Sequence, residues 1–77
     1  MLRLMEIREL DNRGLSPPEP MVRILTALGG LTGDDELHAR MDREPLLLYG
    51  ELERRGFTWE FLADQEPVVL RVWRKSR

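Results

Sequence analysis

Asp11-Asn12-Arg13-Gly14-Leu15-Ser16-Pro17-Pro18-Glu19-Pro20 is the stretch from which the fold is read. Upstream, Met5 and Ile7 alternate with Glu6 and Arg8, the period-two pattern of a half-buried strand. Downstream, Met21, Ile24, Leu25 and Leu28 recur at helical spacing. The quoted segment is therefore a strand-to-helix loop, with Gly14 free to take a positive φ. Ser16 is placed to cap the helix, with Glu19 three residues on completing a capping box. Pro17 then suits the first helical position, where its missing N–H costs nothing.

Gly29-Gly30 is expected to end the helix in the left-handed conformation, and Gly33-Asp34 makes a turn. Leu37, Ala39 and Met41 alternate with Glu36, His38 and Arg40 as a second strand. Pro45 suits the first turn of a second helix, with Asp42 or Glu44 near its start complementing the dipole. Leu48 and Leu52 are its buried pair, flanked by Leu47, Tyr49 or both, and Gly56 stops it. Phe57 to Phe61 reads as a third strand, Ala63 to Pro67 as a turn and Val68 to Arg74 as a fourth strand. Val68, Leu70 and Val72 share one face of that strand, and Val69, Arg71 and Trp73 the other. The order is βαβαββ. It predicts an α+β two-layer sandwich: a four-stranded mixed sheet, two helices on one face, right-handed crossovers and a closing antiparallel hairpin. All 77 residues form one domain.

Composition narrows the function classes. Hydrophobic residues at 42% and charged residues at 34% fit a folded chain. Cysteine is absent, so no disulfide or thiolate metal cluster is available, and a reducing cytoplasm is the expected location. Charges follow Met1–Leu4 at once and no apolar run approaches a membrane span, so neither a signal peptide nor a membrane association is expected. A net charge of -2 gives no overall pull toward nucleic acid, and only the segment from Arg71 to Arg77 is basic.

The aspartate–x–x–glycine–leucine–x–Cys-Pro-x-Pro signature of the TusA/SirA-like sulfur carriers resembles this loop. Asp11, Gly14, Leu15, Pro18 and Pro20 match it, and the carrier cysteine falls on Pro17. The chain is more similar still to a cysteine-poor cousin, an uncharacterised bacterial DUF family with the same fold. Its members carry a similar Arg-Gly-Leu-x-Pro-Pro-Glu-Pro loop and a later Asp-Arg-Glu-Pro segment, here Asp42 to Pro45. The resemblance covers roughly Ile7 to Arg74. It implies a TusA-like fold, occurrence alone, repeated or fused to hemerythrin-like domains, and a link to sulfur transfer or to redox and nitrogen-oxide metabolism.

Chemistry at the loop is limited by its residues. Pro17 has no nucleophilic atom, which removes persulfide carriage by this chain, and no histidine accompanies Ser16 as a base would. A lone His38 does not make a metal site, and no cofactor is expected; it is read as a strand residue facing water, sharing a polar face with Glu36 and Arg40. The expected function is a non-enzymatic accessory module that binds a protein partner or a small anion at the first helix start. Its candidate residues are Arg13, Gly14, Leu15, Ser16, Pro17, Pro18, Glu19, Arg40 and Arg43. Backbone N–H groups there, with Arg13 and Arg43 nearby, can hold an anion. Alternatively Ser16 and Glu19 satisfy those groups and Arg13 pairs with Asp11 or Asp42. A partner would be a sulfurtransferase or a hemerythrin-like protein. Nucleic-acid binding would rest on Arg71, Trp73 and the basic tail, and two open sheet edges leave room for a homodimer.

Overall fold

The computed structural model describes residues 5–76. Strand β1 is Ile7–Asp11, helix α1 Glu19–Leu28 and strand β2 Glu36–Met41. A 3₁₀ turn, Leu46–Leu48, leads into helix α2, Tyr49–Arg54, followed by β3, Phe57–Leu62, and β4, Val68–Arg74. The sheet order is β1-β2-β4-β3. β1 runs parallel to β2, as a helical crossover allows, and β4 inserts antiparallel between β2 and β3. The βαβαββ sandwich expected from the pattern is the observed architecture.

The core fills one side of the sheet. Leu37, Ala39, Leu70, Val72 and Phe57 meet Ile24, Leu28, Leu48 and Leu52, all buried. In register, Leu37 faces Val72 and Ala39 faces Leu70, so the two central strands bring their aliphatic rows together. Trp59 packs at the core margin and stacks on Tyr49, with ring centroids 4.6 Å apart.

Several local expectations are corrected. The first strand is out of phase by one residue: Met5 and Ile7 are 48% and 49% exposed, and Leu10 is the residue that joins the core. Pairing decides this, because Ile7 sits opposite Glu36 on the uncovered face whereas Leu10 sits opposite Ala39. Ser16 does not cap α1. The cap position is Pro18, no side-chain cap exists, Pro17 lies before the helix and Pro20 sits in its first turn. The backbone substitutes for the missing cap, since the Glu19 N–H donates to the Ser16 carbonyl at 2.9 Å. Gly29 keeps a right-handed φ of -61°. The helix end instead tightens through i→i-3 bonds from Gly29, Gly30 and Leu31, which use its last carbonyls.

The second helix is shorter than its sequence suggests, because Pro45 precedes a 3₁₀ turn and α2 holds only six residues. Neither Asp42 nor Glu44 caps it. Asp42 reaches back to Gly14, and Glu44 accepts a hydrogen bond from the Tyr49 hydroxyl at 2.9 Å. Burial and that carboxylate both push the Tyr49 hydroxyl's pKa up.

Candidate functional site

The loop between β1 and α1 is organised by one buried amide. Asn12, 1% exposed, extends the parallel ladder through its N–H to the Arg40 carbonyl at 2.9 Å. Its side-chain Nδ2 donates to the Pro20 carbonyl at 3.0 Å and lies 3.8 Å from the Met41 sulfur. Its Oδ1 accepts from Arg23, whose same nitrogen also reaches the Asp11 carbonyl at 2.8 Å. Asn12 therefore ties the end of β1 to the first turn of α1.

Beyond it the chain reverses at Gly14, where φ is +79°. A Cβ there would meet nothing within 4 Å, so backbone conformation rather than space requires glycine. The Gly14 N–H donates to Asp42 Oδ2 at 2.8 Å. Arg13 folds onto Asp11 through its backbone N–H at 3.1 Å and through Nε and a terminal nitrogen at 2.9 and 2.7 Å. Those bonds hold the Asp11 carboxyl well below the usual carboxylate range and raise the Arg13 guanidinium. Because the folded pKa lies below the unfolded one, the Asp11 contribution to stability is present above about pH 4 and disappears as pH falls through the folded value. The pair is exposed, so its contribution is small. Carbon-detected NMR titration should show Asp11 protonating far below the ordinary aspartate range, and Arg13→Ala should return it toward that range. An Asp11 midpoint unmoved by that substitution would contradict the assignment.

Between the α1 entrance and the segment after β2 lies a groove of about 360 Å³. Its walls are chiefly apolar, formed by Leu15, Pro17, Pro18, Pro20, Met21 and Met41, with the 42–47 segment along the other side. Leu46 and Leu47 stand at its edge, 67% and 92% exposed. The parallel pairing of β1 and β2 is what brings these two segments together, since both leave the sheet at the same end.

The candidate residues divide between different places. Leu15, Pro17, Pro18 and Arg43 line the groove. Gly14 is bonded to Asp42 beside it, while Ser16 and Glu19 are exposed, with Ser16 contributing its backbone carbonyl. Arg13 is committed to Asp11. Arg40 faces the opposite side of the sheet in a shallow depression with His38 and Glu9. The three arginines do not converge. Of the loop's amides, those of Asn12, Arg13, Gly14 and Glu19 donate internally, and three prolines carry no N–H. The Asp42 carboxylate already accepts the Gly14 N–H that an anion would need.

Asn12, Met21, Met41, Leu46 and Leu47 also line the groove and are not among the residues expected from sequence. The leucine run 46–48 carried a usable signal, because a short helical turn buries one of three consecutive leucines and leaves the others outside. Asn12 carried none, since its role arises from partners eight to 29 residues away.

On the open face, Glu36 is buried although the next residues on its side of β2, His38 and Arg40, are polar. Its carboxylate takes a two-pronged grip from Arg71, at 2.6 and 2.8 Å, and contacts His38 Nε2 at 2.9 Å. His38 is thus engaged with Glu36 rather than simply facing water. Arg71 also lies over the Trp73 ring, 4.4 Å from its centroid, and Arg74 donates to the Leu31 carbonyl at 2.9 Å. These cations are occupied within the fold. Among the described residues, no helix is long and apolar enough to cross a membrane.

Fold and site together define a small α+β sandwich whose first helix entrance forms one wall of an apolar groove. The chain belongs to the DUF2249 family, an uncharacterized conserved protein family, whose model matches residues 9–75. No curated protein and no solved structure matches it.

Proposed function

We propose that this chain is a non-enzymatic accessory module that binds a partner protein through the groove between the α1 entrance and the 42–47 segment. The observation that supports this most is the exposed Leu46–Leu47 pair beside a proline-walled apolar recess, a surface whose burial by a partner is favourable. Binding a small anion at the same loop is the weaker reading, because four of its amides are engaged, three prolines have none and Asp42 adds a negative charge. We place the chain in the TusA/SirA-like superfamily, as a bacterial, cytoplasmic branch that has lost the carrier cysteine. On that placement the partner is a persulfide-bearing sulfurtransferase or a hemerythrin-like protein, and the module docks to it without carrying sulfur.

The test immobilises the chain and challenges it with each purified candidate from the same organism. One is expected to be retained, with at least about tenfold weaker binding by Leu15→Asp and Leu46→Asp, as for loss of a buried leucine contact. In parallel, phosphate or sulfate should leave the Gly14 amide resonance in place. Retention undiminished in both variants, or a saturable anion shift at Gly14, would overturn the groove as the docking surface.

A further inference from the structure

The groove and its leucine ridge form one continuous patch that carries both a recess and the side chains to fill it. The 3₁₀ turn buries Leu48 to 1% exposure and leaves Leu46 and Leu47 outside. The recess, at about 360 Å³, is large enough for branched aliphatic side chains, and Leu15, Pro17, Pro18 and Met21 give it an apolar wall, with the polar side chains of Asp42, Arg43 and Glu44 along the other side. Prolines and the Asn12 bond to the Pro20 carbonyl hold it open, so little ordering is needed on binding. A knob beside a matching hole is complementary to its own copy under two-fold rotation.

The rim charges select among occupants. Arg43 has no hydrogen-bond or ion-pair partner among the described residues. Asp42 and Glu44 each use one carboxylate oxygen internally, on Gly14 and Tyr49, and leave the other without a described donor. A uniformly basic or acidic partner would be matched by one sign and opposed by the other. A second copy carries both signs, so a half-turn that offsets Arg43 from the axis pairs the cation of each rim with the carboxylates of its mate.

We infer that the chain self-associates as a two-fold dimer, with Leu46 and Leu47 of each copy seated in the groove of the other. This rests on the reading of the groove as a docking surface and names its occupant when the chain is alone. Partner binding and self-association then exclude each other. The patch is small, so the dimer is weak and concentration-dependent.

Sedimentation equilibrium of the 77-residue chain from micromolar to millimolar concentration tests this. The mass is expected to rise toward twice the monomer value. Leu47→Asp should weaken association on the order of a hundredfold, because each substitution strikes a symmetric interface twice. Leu46→Asp serves as the second variant, and both should unfold at the wild-type temperature in dilute solution. Arg43→Glu should also weaken the dimer and flatten its salt dependence. A monomer at every concentration would overturn the inference while leaving Leu15-dependent retention of a partner untouched. A dimer indifferent to both leucine substitutions, with intermolecular NMR contacts at Ile7 or Trp73, would overturn it in favour of the open sheet face.

Discussion

Arg71→Ala is expected to remove about 3 kcal/mol of stability, the low end of the range for stranding a buried charge. Glu36 is the reason. Its side chain is 3% exposed, and both carboxylate oxygens are held by Arg71. Without the guanidinium, the His38 contact does not replace the two-pronged grip. A domain of this length has on the order of 5 kcal/mol in total, so the variant should melt roughly 15 °C lower. The loss should depend on pH. Losing the Arg71 cation favours the neutral acid, so the penalty is present above the ordinary carboxylate range and shrinks as pH falls toward about 4. Adding Glu36→Gln to Arg71→Met should recover most of the stability, which separates the stranded charge from lost packing on Trp73. Arg71→Lys should recover only part, because an ammonium cannot make the paired grip. Urea unfolding at two pH values checks all of this. An Arg71→Ala deficit that is small and constant with pH would show that Glu36 is solvated.

Asn12→Ala is expected to cost about 2 kcal/mol and to loosen the groove at the same time. The side chain is fully enclosed, and its amide is the described side-chain donor to the Pro20 carbonyl. Alanine leaves that carbonyl without its donor and releases Arg23 from Oδ1. Asn12→Asp keeps the shape and the acceptor for Arg23 but loses the Nδ2 donor. It should therefore cost at least as much as alanine, which packing alone would not predict. The second readout is local: the methyl resonances of Met21 and Met41 should shift and broaden, while those around Leu70 and Val72 should not. Wild-type stability in Asn12→Asp, or unchanged Met21 and Met41 signals in Asn12→Ala, would remove Asn12 from its organising role.

Much of the architecture is legible in the chain because it depends on local periodicity. Leu37, Ala39 and Met41 mark β2, and Met21, Ile24, Leu25 and Leu28 mark α1, since those spacings suit one face of one element. Gly14 is legible for a related reason: its positive φ is a property of the residue itself. The details that went astray are those in which backbone groups had a choice of partner. Ser16, Glu19 and Gly29 are ordinary helix-boundary residues, yet backbone bonds closed both ends of α1 without using them as expected. Met5 and Ile7 read as the buried phase because an edge strand with few apolar residues does not announce which face is covered.

The candidate site was legible in place but not in character. The Pro-rich helix entrance and the Asp42–Pro45 turn do meet, because two parallel strands must deliver their following segments to the same end of the sheet. That the meeting makes an apolar groove depends on contacts across long sequence separations. Asp42 satisfies Gly14 from 28 residues away, and Arg13 is taken by Asp11 instead of joining Arg43. The sequence alone determined the order of the elements, the single core and the absence of a thiol at the helix entrance, since each follows from residue type and short-range spacing. Only the tertiary structure decided which donors were already spent, which leucines stayed outside and which carboxylate, Glu36, went in. Those outcomes are settled by competition among distant groups for the same partners, and spacing along a chain does not encode who wins.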